Sequence, residues 1–323
     1  MFTHKMSSQT ADFDHRRSTA AAGGRIRAVA ITLLLSLWIA MTASCFADEQ
    51  QAAHFHHVRL NTTNTKESIQ YYEKHFGAVP VRFNGVADGL FVERSFILFN
   101  KVDTPPATEL VSSIWHIGWG GVDILNEYQW LKRHGVNFHT TPQPLPGLDN
   151  YYMYIKGPAG ELIEINTMGH HRFAHVHFFC DDVNETCQWY AKHLGLRPKR
   201  EKVPRPKASP ATLLGIWMNF ITCDNVQLIY FGKPDSDKPL PWWPDPPLKK
   251  FEPTKGRAID HIAFSYPEID SIHARMKAEG VEILSEPKVQ EELNLKSFFV
   301  QGPDKVLIEI VESKPIPEGL WEK

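Results

Sequence analysis

The chain has 323 residues, 42% of them hydrophobic, enough to bury a sizeable core and to build two domains once an N-terminal segment is set aside. A formal net charge of -2 removes any electrostatic case for nucleic acid or an anionic membrane surface as partner. Histidine is plentiful, at 16 copies, so one histidine alone says little about chemistry.

Residues 1–47 read as an export signal. Arg16, Arg17, Arg25 and Arg27 supply positive charge, residues 28–41 form an apolar run too short for a comfortable span, and Ala47-Asp48 offers a cleavage point. The expected mature chain begins near Asp48, is periplasmic or secreted, and keeps no stable membrane span. An uncleaved anchor, a lipoprotein attached at Cys45, twin-arginine export and a downstream start codon stay open as alternatives. Cys180, Cys187 and Cys223 remain after cleavage; one disulfide or three free buried thiols both fit, and no zinc-type Cys spacing is present.

From residue 54 onward one short pattern occurs four times: histidine, then Val or Ile, any residue, and an apolar residue. The copies start at His57, His116, His175 and His261. Each leads into a helix-like stretch closed by Gly77, Gly135, Gly195 or Gly280, at spacings of 20, 19, 20 and 19. Asn64 with Glu67, and Asp182 with Glu185, read as capping boxes; Asp123 reads as an N-cap and Pro267 as a first-turn proline. The expected buried stripes are Ile69, Tyr72 and Phe76; Leu125 and Tyr128; Val183, Cys187, Tyr190 and Leu194; and Ile269, Ile272 and Met276. Short β-type runs follow each helix, at 89–100, 150–156, 215–222, 226–231, 296–301 and 306–311, so each unit reads β-α-β-β-β. The second and fourth units close alike, on Gly157-Pro158-Ala159-Gly160-Glu161 running to Glu164 and on Gly302-Pro303-Asp304-Lys305-Val306 running to Glu309. His116 to Glu164 and His261 to Glu309 both span 48 positions. A period this constant marks duplication. The expected organisation is an α+β chain of four units in two consecutive domains, 54–168 and 172–313, with a tail at 314–323. A Pro/Trp-rich insertion at 233–256 reads as a surface loop, either decorative or covering a cavity mouth.

What the duplication keeps is two histidines and one carboxylate per pair of units, a metal-binding set that leaves coordination positions open. These motifs resemble the vicinal oxygen chelate superfamily, which includes glyoxalase I, extradiol dioxygenases and bleomycin-binding proteins, and the resemblance covers nearly all of 54–313. It implies curved sheets around a pocket and a divalent metal, Fe, Mn, Zn or Ni, held by His57, His116 and Glu164 in the first domain and by His175, His261 and Glu309 in the second. The chain departs from a four-ligand glyoxalase I site: residues 96–100 offer no carboxylate, and Tyr230 falls about where the third unit would supply one. Tyr154, ten positions before Glu164, matches an extradiol dioxygenase tyrosine; Phe299 takes that place before Glu309, and the family's extra acid-base histidine has no clear equivalent.

Alternation along the ligand strands points further residues into the pockets: Arg59, Asn61, Gly118 and Asn166 in the first domain, and His177, Phe179, Ala263, Ser265 and Val311 in the second. The candidate catalytic residues are Arg59, which would pair with a carboxylate or enolate oxygen or else form a structural ion pair; Tyr154, an acid-base or oxyanion-stabilising group or else a core tyrosine; and His177, a proton shuttle or else a polar lining residue. The more polar first pocket is expected to carry the chemistry. His54, His56, His139, His170 and His171 read as surface or linker residues. The function so implied is a metal-dependent lyase, isomerase or dioxygenase acting on a small molecule that chelates through two neighbouring oxygens. The alternatives are a non-catalytic protein that sequesters a small ligand and an adaptor-like tandem domain with a structural metal.

Overall fold

The computed structural model describes residues 51–145, 147–168, 171–206, 216–233 and 250–316. The expected export segment with Cys45 and Ala47, His170, most of the Pro/Trp-rich stretch and residues 317–323 lie outside them. Among the described residues no helix is long and apolar enough to cross a membrane.

The fold is mixed α+β, with two curled sheets assembled from four related units. The first unit holds β1 (His54–Thr62), α1 (Thr65–Phe76), β2 (Val79–Phe83), β3 (Ala87–Val92) and β4 (Ser95–Lys101). The second holds β5 (Ile114–Gly120), α2 (Ile124–Arg133), β6 (Asn137–Pro144), β7 (Tyr151–Lys156) and β8 (Leu162–Asn166). The third holds β9 (Phe173–Cys180), α3 (Val183–Leu194), β10 (Met218–Cys223) and β11 (Val226–Gly232), and a single antiparallel bridge, Pro198 to Ile221, stands where its remaining strand would be. The fourth holds β12 (Ile259–Tyr266), α4 (Asp270–Ala278), β13 (Lys288–Gln290), β14 (Leu295–Gln301) and β15 (Leu307–Glu312).

Local chemistry sets the helix ends. The Asn64 side chain accepts from the Glu67 N–H, and the Asp123 and Asp182 side chains each accept from two N–H groups of the following turn. Gly77 and Gly195 close α1 and α3 in the left-handed region. Two expectations fail here. Pro267 lies before α4 rather than in its first turn, and the Glu268 carboxylate accepts from the Asp270 and Ser271 N–H groups. Leu125 is exposed, because Ile124 and Leu131 take the inward face of α2.

Which units share a sheet differs from a pairing of consecutive units. The eight-stranded sheet runs β13-β14-β15-β12-β1-β4-β3-β2 and joins the fourth unit to the first; the seven-stranded sheet runs β10-β11-β9-β5-β8-β7-β6 and joins the third to the second. The seams are antiparallel, β1 on β12 and β5 on β9. The chain therefore leaves the first sheet after β4, builds the whole second sheet, and returns after β11. The Pro/Trp-rich stretch belongs to that return: Glu252 and Ala258 donate backbone bonds to Val111 and Ala107 of the outward crossing, so its described part lies along the other connection.

Alternation gives each sheet two unlike faces. Val58, Leu60, Ile117, Trp119, Val176, Phe178, Ile262 and Phe264 fall on one parity and belong to a single core shared by both sheets. Tyr72 and Phe76 of α1 pack on Trp119 of β5 with ring centroids 5.7 and 4.5 Å away, and Tyr190 of α3 packs near Phe264 of β12 at 6.2 Å. Burying each such side chain is worth about 1.5–3 kcal/mol, so this core ties the sheets together. The Tyr72 hydroxyl also donates to the buried carboxylate of Glu161, whose pKa burial pushes up to about 7. The other parity carries the repeated histidines, with a small apolar cluster beside each set: Leu98, Ala263 and Val311 in one sheet, Trp115, Tyr154 and Phe179 in the other.

Candidate metal centres

The seam of each sheet sets its histidines face to face. Across β1 and β12, His57 pairs with Ala263 and Arg59 with His261; across β5 and β9, Gly118 pairs with His175 and His116 with His177. The parallel partners β15 and β8 then bring Glu309 beside Ala263 and Glu164 beside Gly118. Two sets of donor atoms result: His57, His261 and Glu309, and His116, His175, Glu164 and His177, every residue buried. The expected groupings are corrected accordingly. His57 does not meet His116 and Glu164, and His175 does not meet His261 and Glu309, because the sheets join units one with four and two with three.

In the first centre the Nε2 atoms of His57 and His261 lie 3.3 and 3.2 Å from Glu309 Oε2. In the second, the Nε2 atoms of His116 and His175 each lie 2.9 Å from Glu164 Oε2 and 3.2 Å from one another. Metal–ligand bonds of about 2.0–2.2 Å, at right or tetrahedral angles, separate two donors by about 2.9–3.5 Å, so both sets fit one divalent cation. The chemistry agrees. His57 Nε2 is buried without a hydrogen-bond partner, and two Nε2 atoms aimed at one carboxylate oxygen converge on a common point. Gly118 makes the second set feasible: a Cβ there would stand 1.9 Å from His175 Cε1, so the imidazole occupies the space of the absent side chain.

Four β-bulges at equivalent places distinguish the centres. The register slips once on each seam strand, and the extra residues are His56 and Asp260 in the first sheet, Trp115 and Ala174 in the second. Three of these bulges bring a side chain round to a ligand, those at His56, Asp260 and Trp115. Asp260 Oδ1 accepts from His261 Nδ1 at 2.6 Å, and the Nδ1 atoms of His56 and His57 lie 2.8 Å apart. The Asp260 carboxylate can only accept, so it fixes the His261 tautomer that leaves Nε2 free to ligate; between His56 and His57 one Nδ1 donates and the other accepts, and His57 ligates through Nε2 when it is the donor. In the second sheet Trp115 packs its ring 4.3 Å from that of His116, and His116 Nδ1 has no partner. His56, expected at the surface, is thus buried at the first centre. Asp260 is not legible in the sequence, because strict alternation turns a ligand's neighbour to the opposite face and its only signal there is an acid next to a candidate ligand.

The charges follow from burial and these contacts. Burial depresses His57 and His116 to about 4 and His56 to about 3. Burial acts to raise Glu164 and Glu309, but the close approach and charge of their paired histidines outweigh it and hold both well below the usual carboxylate range. His261 is the exception among the ligands: burial acts to lower it, and Asp260 with Glu309 raises it instead.

Arg59 and Tyr154, expected in one pocket, are separated. Arg59 is buried at the first centre, where its Nε donates to Asn100 Oδ1 at 2.6 Å. Tyr154 packs 5.2 Å from the His116 ring at the second. His177 joins the second centre, its ring 4.7 Å from that of His116 and its buried Nε2 without a partner. Burial foremost, then the charge of His116, pushes its pKa well below the usual value. Leu98 and Ile229 occupy the positions equivalent to Glu164 and Glu309 in the other two units. Tyr230, expected near there, instead faces the core and stacks on Phe178 at 5.0 Å. Phe299 lies against His261 at 5.3 Å, in the place that Tyr154 takes beside His116. Among the described residues Cys180, Cys187 and Cys223 are free and buried.

The sequence profile of the Glyoxalase/Bleomycin resistance protein/Dioxygenase superfamily matches residues 54–165 and 172–310. Over 167 residues the chain is 26% identical to a putative lactoylglutathione lyase of Brassica oleracea var. gemmifera, covering 50% of this chain and 51% of that protein. Over 165 residues it is 25% identical to lactoylglutathione lyase GLX1 of Arabidopsis thaliana, covering 50% of each. The chain thus spans about half the length of the curated relatives it matches. Among solved structures it superposes on glyoxalase I from Zea mays with a TM-score of 0.60 at 16% identity, over 81% of this chain and 92% of that one. A putative dioxygenase from Bacillus subtilis gives 0.53 at 10% identity, over 81% and 85%. These two likenesses are of fold.

Proposed function

This chain belongs to the Glyoxalase/Bleomycin resistance protein/Dioxygenase superfamily, and from that premise we propose that it is a metal-dependent enzyme acting on a small molecule with two neighbouring oxygens. The observation that carries the reading is the pair of buried two-histidine, one-carboxylate sets, with their donor atoms spaced for a shared cation. His57, His261 and Glu309 would hold one ion, and His116, His175 and Glu164 the other. A divalent cation held this way supplies Lewis acidity toward a chelating substrate. With Leu98 and Ile229 at the remaining equivalent positions, neither set has a second carboxylate among the described residues, which favours substrate oxygens as the completing ligands at the first centre, while the second also has His177 within reach.

The chain's own residues divide the remaining work. Asp260 holds His261 in its ligating tautomer, and His56 would do the same for His57 by accepting from its Nδ1. The apolar lining beside each set, Leu98 and Val311 or Phe179 and Phe231, excludes water from the bound oxygens. At the second centre we assign proton handling to His177, through its unpartnered Nε2, and to Tyr154 against the His116 ring.

Elemental analysis of the purified protein tests this. Two equivalents of divalent metal per chain are expected, with Glu164→Gln and Glu309→Gln each removing one. His177→Gln should keep both metals while lowering turnover; loss of one metal would make His177 a ligand instead. Full metal retention in both glutamate variants would end the proposal.

A further inference from the structure

The first centre contains a buried positive charge that nothing described neutralises by contact. Arg59 stands two residues after His57 and directly across the seam from His261, so its side chain rises on the ligand face. It is only 5% exposed. Its Nε donates to Asn100 Oδ1, Asn100 Nδ2 donates to Asn61 Oδ1 at 3.0 Å, and Asn61 Nδ2 donates to Asp260 Oδ2 at 3.0 Å. Asp260 in turn holds His261 at Nδ1, so one chain of hydrogen bonds links the guanidinium to a ligand imidazole and fixes where it points.

The guanidinium keeps donors in reserve. Nη1 is buried with no hydrogen-bond partner, and Arg59 makes no ion pair among the described residues. Three carboxylates act on Arg59 by charge: Glu309 is already engaged by two histidines, Asp260 by His261, Asn61 and the Gly256 N–H, and Glu292 is exposed and makes no ion pair with it. A buried guanidinium left this way is costly unless an oxyanion meets it. Its planar fork suits the two oxygens of a carboxylate, whereas an enolate offers one oxygen that the cation would take. The second centre has no counterpart: His177 takes the equivalent place, beside Phe179 and Phe231.

We infer that the first centre selects carboxylate-bearing oxygen chelators, of the 2-oxo or 2-hydroxy acid class, through an ion pair between the substrate carboxylate and Arg59. This rests on the metal reading of His57, His261 and Glu309, and the test separates the two. Oxalate serves as the probe and acetohydroxamate as a chelator lacking a carboxylate; binding of each is measured by calorimetry alongside metal content. Arg59→Met should weaken oxalate by about 30-fold or more while leaving acetohydroxamate and metal content unchanged, and Arg59→Lys should recover part of the loss. Should Arg59→Met fail to fold, Asn100→Leu, which frees the guanidinium from its anchor, should weaken oxalate by about fivefold and spare acetohydroxamate. If the protein holds no metal but binds oxalate in an Arg59-dependent way, the carboxylate subsite stands and the metal reading falls. Oxalate binding that ignores Arg59, or no oxalate binding at all, overturns the inference.

Discussion

Asp260 and His56 reach the first centre only because each is the extra residue of a β-bulge. Their role is to hold Nδ1 of His261 and His57, so removing one should weaken metal binding without deleting a ligand. Asp260→Asn is expected to lower the first centre's metal affinity by about 10–100-fold, read by chelator competition, with the second centre unchanged. The depressed histidines also set a pH response in metal-stripped protein. His57 and His116 titrate at about 4 and His56 at about 3 when folded, below the ordinary 6.5. Between these values the unfolded chain binds protons that the folded chain refuses. Stability therefore falls as pH drops from about 6.5 toward 4, by up to about 1.4 kcal/mol per pH unit for each ring. His261, Glu161 at about 7 and Asp304 at about 6, all raised in the fold, contribute in the opposite sense, their stabilisation being present at low pH and lost as pH rises, but the depressed rings outnumber them. Denaturant midpoints at pH 7 and pH 5 check the net sign, and a higher midpoint at pH 5 would contradict it.

At the scale of elements, the seam strands do most of the positioning. The repeated His-Val/Ile pattern makes these strands recognisable in sequence, and alternation correctly turns Arg59 and His177 toward their ligands' face. The bulges are not legible, since an inserted residue in a strand leaves no composition signal; His56 was indistinguishable from its neighbour His54 on pattern alone. Helix α2 shows the same limit, because Ile124 and Leu125 are adjacent apolar residues and only packing decides which one turns inward. Gly118 gives the sharpest test at this level. A methyl group at this position would stand 1.9, 2.1 and 2.5 Å from three atoms of the His175 ring, whose Nε2 already meets Glu164. Gly118→Ala should displace His175, remove the second metal and cost about 1–3 kcal/mol of stability, while leaving the first metal in place. Elemental analysis with thermal unfolding reads both effects, and retention of two metals would show that the strand can shift to accommodate the methyl.

For the whole molecule, the number and type of units could be read from the period, but which units share a sheet could not. Four similar units carry interchangeable motifs, so sequence alone gives the seam between β1 and β12 no advantage over one between β1 and β5. The long connections decide it in space, residues 102–113 and the return before β12 both crossing between sheets. A fragment of residues 51–168 therefore contains His57 without Glu309, and His116 with Glu164 but without His175. It should bind less than one equivalent of metal by itself. Mixing it with residues 169–323 should restore two, and full loading of the isolated fragment would contradict the sheet assignment.

The two crossings also impose an order on assembly. Every residue of the seven-stranded sheet lies between positions 114 and 232, nested inside the stretch that supplies the eight-stranded one. On a growing polypeptide the inner sheet can close on its own short-range contacts, while β1, already made, must wait for β12 and β15 to leave the ribosome. Strand β1 spends that interval with one edge unpaired, and the lagging half of the molecule is the one that carries the arginine.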